Sequence, residues 1–325
     1  MLRHSIRLVR GAALLGLASM GVAAVAPGQS HVPPRQVAIT FDDLPVATSL
    51  HRSDVAAQRR ITTALVAAIR ANGVPAIGFV NEDKLLDGRD ADPSRIALLR
   101  QWLDAGLELG NHSYSHPDLH RTAIDEYEAD VLAGEQVTRP LSSAAGRPFR
   151  FFRHPFLHTG RDLETKVRFE RFLAGHGYRV APVTIDNYDY LFAAAYERSL
   201  ARRDSALAGR VRAEYLRYME RIFAYYEQQS VALVGREIAQ TLLLHANQLN
   251  GDAFGDLARM IRSRGYAFVP LERALDDAAY TSEDRYTGPA GITWLHRWAL
   301  TKGMPGSTFR GEPEVPADIL AAAER

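Results

Sequence analysis

Five short stretches carry side chains able to bind a metal or move a proton: Thr40-Phe41-Asp42-Asp43, His112-Ser113-Tyr114-Ser115-His116, Arg153-His154-Pro155, Asp186-Asn187-Tyr188-Asp189 and Leu244-His245. Each follows an apolar, strand-like run. His112 and His116 stand four residues apart, a spacing that puts two imidazoles on one face of a helical turn, where they can grip one ion. Spacing alone selects poorly, because His116/His120 and His154/His158 share it. Position selects the first pair, which comes directly after the strand-like residues 107–110 and Asn111. Asp42 and Asp43 are adjacent carboxylates at a strand end, where they repel unless a cation relieves them. Before Leu44-Pro45, the same pair would also be ordinary turn chemistry. One of the two carboxylates with His112 and His116 makes three protein ligands and an open position, the pattern of a catalytic zinc site. The other carboxylate is then free to act as a base on water. The chemistry this points to is metal-assisted hydrolysis.

Strands must carry these residues to one place. Residues 36–41, 76–80, 107–110, 149–153, 178–185, 240–245 and 267–270 read as strands, and residues 53–71, 93–105, 124–138, 163–176 and 252–264 as helices between them. Val55, Ile61, Leu65 and Ile69 mark the first helix by their spacing, and Asn72-Gly73 marks its stop. Strands alternating with helices imply parallel pairing through right-handed crossovers. Reactive residues after many successive strands favour a barrel over an open sheet, whose ligands gather at one switch point. The expected fold is a distorted (β/α) barrel of about seven parallel strands. A helical insertion, residues 191–239, separates the fourth and fifth motifs; its aromatics at helical spacing favour packing against the body over a lid. In the C-terminal extension, residues 279–325, Trp294 and Trp298 share one helical face and are expected to close off the barrel; a loose end is expected beyond Gly303.

Composition bounds the rest. Arg3, Arg7 and Arg10 precede an apolar run that ends in small residues before Pro27-Gly28, the layout of a signal peptide over residues 1–26. That run is too short to span a bilayer comfortably. Residues 27–35 read as a linker and residues 36–278 as the barrel domain with its insertion. The chain has no cysteine, so neither a disulfide framework nor lipid attachment through Cys is available. Cleavage after residue 26 would remove three of the 39 Lys and Arg and none of the 38 Asp and Glu, leaving a formal charge of −2. No basic run points to nucleic acid and no further apolar run to a membrane span, so an exported protein, periplasmic or secreted, with a neutral partner is expected.

In this order, the five motifs resemble those of the polysaccharide deacetylase family, the carbohydrate esterases of family four that share the NodB homology domain. The resemblance runs from about residue 36 to residue 270, leaving out the insertion and the tail. It implies a metal-dependent hydrolase that removes N-acetyl groups from an oligo- or polysaccharide of chitooligosaccharide or peptidoglycan type. Residue by residue, it implies Asp42 as the base, Asp43, His112 and His116 as metal ligands, and Arg153 as the residue orienting the base. Asp189 becomes the carboxylate partner of His245, and His245 the general acid. Pro155 and Phe156 fall at the oxyanion-binding turn. The implied metal is Zn²⁺, with Co²⁺, Ni²⁺ or Mn²⁺ able to replace it. This chain departs from the pattern at Leu44, where the family usually has Gly, at Phe156 for Tyr, and at Tyr190 for Trp. Leu44, Pro155, Phe156 and Tyr190 are therefore the expected contacts to substrate or oxyanion. An O-acetyl esterase of xylan type, or a carbohydrate-binding relative without catalysis, are the alternatives. His154 is expected to line the site, and His120, His158 and His176 to be surface or capping residues.

Overall fold

The structure is a computed structural model that describes residues 35–324, so the signal peptide expected over residues 1–26 lies outside the described residues. β1 (Arg35–Leu44) is buried on both faces over most of its length, as a strand covered on both sides must be, and takes a central place in the sheet. β2 (Ala76–Val80) pairs beside it; β3 (Leu86–Asp87) and β4 (Asp90–Ala91) form a small separate hairpin. With β5 (Glu108–Asn111), β6 (Phe151–Phe152), β7 (Arg179–Val180) and β8 (Gln240–His245) the order is β7-β6-β5-β2-β1-β8, and β9 (Tyr266–Phe268) pairs with the start of β1. All these pairings are parallel.

The chain after β7 closes the ring. The Ala181 amide donates to Phe152 on β6 at 2.8 Å, while those of Thr184 and Ile185 donate to Thr241 on β8 at 3.0 Å. One segment thus joins the two edges of the sheet, and the fold is a distorted (β/α) barrel of seven parallel strands.

Helices cover the outside: α1 (Val55–Ala71), α2 (Pro93–Asp104), α3 (Ile124–Ala133), α4 (Thr138–Ala144), α5 (Leu163–Gly175), α6 (Asp189–Ala201), α7 (Ser205–Val234), α8 (Gln248–Ser263), the short α9 (Leu271–Ala274), α10 (Trp294–Thr301) and α11 (Ala317–Glu324). α8 shows why they stay. Leu249, Ala253, Phe254, Leu257 and Ile261 fall on one buried face, and each large side chain among them contributes about 2 kcal/mol. The period of two along β1 sorts its residues. Val37, Ile39 and Phe41 join the core under the helices, and Ala38 joins a smaller cluster with Ile77, Phe79 and Phe151. Thr40 and Asp42 share the alternation of Ala38, so this face turns polar toward the C-terminal end of the strand.

Four expectations are corrected. The helix foreseen over residues 124–138 is two helices, because Gly134 lies against the Ser113–Tyr114 backbone, where a Cβ would come within 2.5 Å of Ser113. α8 starts at Gln248, capped by Asn247, earlier than residue 252. The end beyond Gly303 is not loose: α11 packs along α6 and buries Ile319, Ala322 and Ala323. His112 and His116 lie in a loop and not on a helical turn. Trp294 and Trp298 are both buried, as a closing role requires. Among the described residues no helix is long and apolar enough to cross a membrane.

Candidate active site

A β-bulge puts both aspartates in one cleft. Phe41 pairs with Gly78 and Leu44 with Val80, so Asp42 and Asp43 together oppose Phe79. A regular strand would send neighbouring side chains to opposite faces, but the extra residue and the left-handed backbone of Asp43, φ 69°, let both line the cleft. The two histidines arrive differently. Asn111 ends β5 and its Oδ1 accepts the Ser113 amide at 2.6 Å, while Ser113 Oγ accepts the His116 amide at 3.1 Å. Ser113 and His116 both hold positive φ, 67° and 58°, and this tight loop sets the rings edge to face, 4.8 Å apart.

Asp43, His112 and His116 each offer a ligand atom, all within 4.8 Å of one another. The donor set fits a divalent ion. His112 Nδ1 donates to the Arg153 carbonyl at 2.8 Å, which leaves Nε2 with its lone pair free. Burial pushes both imidazoles below their ordinary range, so they are the neutral bases a metal needs. Burial pushes the Asp43 carboxyl up, but the Lys84 ammonium, His245, His112 and His116 outweigh it and hold Asp43 ionised. Lys84 Nζ is 3.0 Å from Asp43 Oδ1 and 3.2 Å from its carbonyl.

The acid–base groups stand next to these. Register pairs Asp42 with His245 across β1 and β8. Asp42 is buried, with Oδ2 3.9 Å from His112 Nε2 and 3.7 Å from Arg153 Nη1, and with Oδ1 lacking any hydrogen-bond partner. Burial raises its carboxyl to about 6, against the pull of Arg153 and His245. Arg153 is itself fully buried, its guanidinium 4.9 Å from the Phe79 ring centre and donating to Thr40 Oγ1 at 2.8 Å. For His245 burial works downward, but Asp189, 2.6 Å from Nδ1, reverses it and raises the imidazole to about 9. Asp189 begins α6, and its Oδ2 accepts the His245 amide at 2.8 Å and Asn250 Nδ2 at 2.7 Å. The site therefore holds a carboxylate that can take a proton beside an imidazolium that can give one.

A second group, Asp118, His120 and His158, also gathers ligand atoms within 4.8 Å. Its rings stack 3.9 Å apart and 3° from parallel, so their in-plane lone pairs run side by side and do not converge, and Asp118 is engaged by His158 Nδ1 at 2.7 Å. These residues tie down the turn after β6.

The polysaccharide deacetylase model matches residues 29–171, the stretch that carries the first three motifs. Over that stretch, less than half of the chain, the sequence is similar to the polysaccharide deacetylase family. A peptidoglycan-N-acetylglucosamine deacetylase of Bacillus cereus is 24% identical over 155 residues, covering 48% of this chain and 46% of that protein. A chitin deacetylase of Colletotrichum lindemuthianum is 25% identical over 158 residues, 48% of this chain and 54% of its own. The chain spans about half the length of the curated relatives it matches. The solved family 4 carbohydrate esterase from Streptomyces lividans, in complex with acetate, aligns with 72% of this chain and 91% of its own at 20% identity and a TM-score of 0.42.

Beyond the family match, geometry alone speaks. The cleft, of about 700 Å³, is lined by Asp42, Asp43, His112, His116 and His245, with Phe156 and Tyr190 among its walls. His154 lines it too, buried between Phe152 and Phe169. Leu44 and Pro155 do not join the cleft. Leu44 is fully buried against Gly78, filling the space a side chain would take there, and Pro155 is buried beneath the turn it begins. Three residues in or beside the cleft were given no role from the sequence. Lys84 follows β2, so the rule that barrel chemistry follows strand ends would have found it. Asp186, raised to about 6 by burial, stood inside a motif without a role. Glu197, whose Oε2 accepts from Thr48 at 3.0 Å, had no signal, since it reaches the cleft from the insertion.

Proposed function

We propose that the protein is a metal-dependent hydrolase that removes N-acetyl groups from an N-acetylated oligo- or polysaccharide, of the chitin or peptidoglycan type named in its relatives. The observation that carries this reading is a proton acceptor and a proton donor beside one ligand triad: Asp42 with an unpartnered buried oxygen, and His245 kept protonated by Asp189. Asp43, His112 and His116 would hold the ion, with zinc the expected metal and cobalt, nickel or manganese able to stand in. When bound, it would supply Lewis acidity toward the acetyl oxygen and the attacking water.

The chain's own groups do the rest. Asp42 takes the proton from the attacking water; Arg153 stays charged beside it and holds it in place. Raised by burial to about 6, the Asp42 carboxyl is mostly ionised at neutral pH and more basic than an ordinary carboxylate. His245 gives its proton to the departing nitrogen. The Phe156 N–H donates to the oxygen on which charge develops. An amine leaves poorly without a proton and an alcohol leaves with less help, so a fixed imidazolium favours the amide over the ester reading. Phe156, Tyr188 and Tyr190 expose 54%, 44% and 48% of their surface around the cleft, the kind of apolar platform on which a sugar ring stacks. A signal over residues 1–26, as expected from the sequence, would put the enzyme outside the cytoplasm, where such polymers lie.

The test is acetate release from N-acetylglucosamine oligomers by the zinc- or cobalt-loaded protein, beside O-acetylated xylan. Release from the oligomers with one bound metal ion per chain is expected. Faster release from the xylan would turn the reading to an esterase, and no release from either substrate, with no metal retained, to a binding protein.

A further inference from the structure

Phe156 and Leu157 are consecutive non-glycine residues in left-handed backbone, at φ 58° and 55°. L side chains keep such a conformation only where the surroundings impose it. Within this turn the Leu157 amide donates to His154 and the His158 amide to Pro155, both at 3.1 Å, whereas the Phe156 N–H has no partner among the described residues. The turn thus keeps one donor unspent at the wall of the cleft. On one side it is held by Asp118 through His158.

On the other side stands the C-terminal segment, outside the residues matched by the family. Gly291 lies so close that a Cβ there would sit 1.8 Å from the Phe156 carbonyl oxygen and 3.3 Å from Leu157 Cβ, so only glycine permits this contact of backbones. Arg297 is almost fully buried and spends its guanidinium on the same turn. Nη1 donates to the Leu157 carbonyl at 3.3 Å, Nη2 donates to Thr159 Oγ1 and to the Tyr286 carbonyl, and Nε donates to Asp284 at 2.8 Å. Its charge lies 4.8 Å from the Trp294 ring centre and 5.1 Å from that of Tyr286. The segment is anchored in turn, because the Trp294 amide donates at 2.7 Å to Val183 on the stretch that closes the barrel.

We infer that residues 284–297 form a clamp that sets the Phe156 turn, with Gly291 and Arg297 as positioning residues for the amide that faces the reacting acetyl oxygen. The inference rests on the deacetylase reading of the site. A tilted donor loses most where charge is greatest, so the clamp acts on the transition state more than on substrate binding.

The experiment uses the full-length, metal-loaded protein and the variants Gly291→Ala and Arg297→Lys. Lysine keeps the charge against Asp284 but cannot fork between Leu157 and Thr159. On an N-acetylglucosamine tetramer, kcat is expected to fall about 10- to 100-fold, less than for outright loss of an oxyanion donor, with KM and metal content within about two-fold of wild type. Amide exchange at Leu157 and His158 is expected to quicken. An unchanged kcat, or a rise in KM in its place, overturns the clamp. If Gly291→Ala does not fold, Arg297→Lys decides alone. If the wild type releases no acetate, the deacetylase reading fails, and exchange then decides the clamp: faster rates at Leu157 and His158 uphold it and unchanged rates overturn it.

Discussion

Replacing Asp189 by asparagine isolates what keeps the proton on His245. Oδ2 of Asp189 gathers three donors: the His245 amide at 2.8 Å, Asn247 Nδ2 at 3.2 Å and Asn250 Nδ2 at 2.7 Å. The oxygen of an asparagine would take that side, turning its NH2 toward His245 Nδ1. Nδ1 would then accept where it now donates, and protonation there would be blocked. With the carboxylate charge gone, burial pushes the imidazole down against Asp43 and Asp42 alone, so its value falls from about 9 toward the ordinary 6.5. The lost stabilisation of the imidazolium is on the order of 3 kcal/mol.

The sign follows from the proposed role. If His245 works in its protonated form, activity falls as pH rises through its pKa, and D189N moves this alkaline limb of kcat/KM down from near 9 toward 6.5. At pH 8 about nine in ten wild-type imidazoles are charged, against about three in a hundred for one at the ordinary 6.5, a loss of up to about 30-fold from protonation alone. The Asp42 limb near 6 would then overlap the other and flatten the bell. The assay is kcat/KM on an N-acetylated tetrasaccharide from pH 5 to 10, with metal content measured in parallel. An alkaline limb unmoved by the substitution, with metal retained, would refute the coupling of Asp189 to His245.

Three further outcomes are expected. Asp42→Asn should lower turnover about 10²- to 10⁴-fold while keeping one metal ion per chain by elemental analysis; metal lost together with turnover would move Asp42 into the ligand set. Gly134→Ala should cost about 1–3 kcal/mol in denaturant unfolding and weaken zinc binding by calorimetry, because the new Cβ would press on the Ser113–Tyr114 backbone between His112 and His116; an unchanged zinc affinity would break that link. Leu44→Ala should cost about 2–5 kcal/mol of stability and leave KM as it is, since Leu44 fills the notch over Gly78; a shifted KM would return it to the cleft.

The residue types of the site were readable before its geometry was. Strand runs ending in Asp42-Asp43, Asn111-His112 and His245 announced themselves, because a strand buried on both faces leaves a long apolar signal and an abrupt polar end. The bulge did not announce itself. That both aspartates share the cleft depends on a register shift against β2 and on a left-handed Asp43, neither of which leaves a trace in residue type. The same holds for the histidines, where a spacing of four suggested a helix and a loop built on Ser113 does the work. The end of the chain was misread for a different reason. Ile319, Ala322 and Ala323 do fall at helical spacing, but a single apolar turn becomes a docked helix only when α6 offers it a surface.

That surface belongs to the insertion, which serves the site in two ways. α6 lends Tyr190 and Glu197 to the cleft wall, while α7 packs against the body through Tyr215, Tyr218 and Tyr226. One of these contacts reaches the chemistry. The Tyr215 hydroxyl donates to Asn250 Oδ1 at 2.7 Å, which leaves the Asn250 NH2 no choice but to face Asp189 Oδ2 at 2.7 Å and the His245 carbonyl at 2.9 Å. An Asn250 turned the other way would aim its carbonyl at the Asp189 carboxylate, and the charge that sustains His245 would meet repulsion in place of a donor. The aromatic helix between the fourth and fifth motifs therefore does more than cover apolar surface: through one hydroxyl it orients the amide on which the Asp189–His245 pair depends.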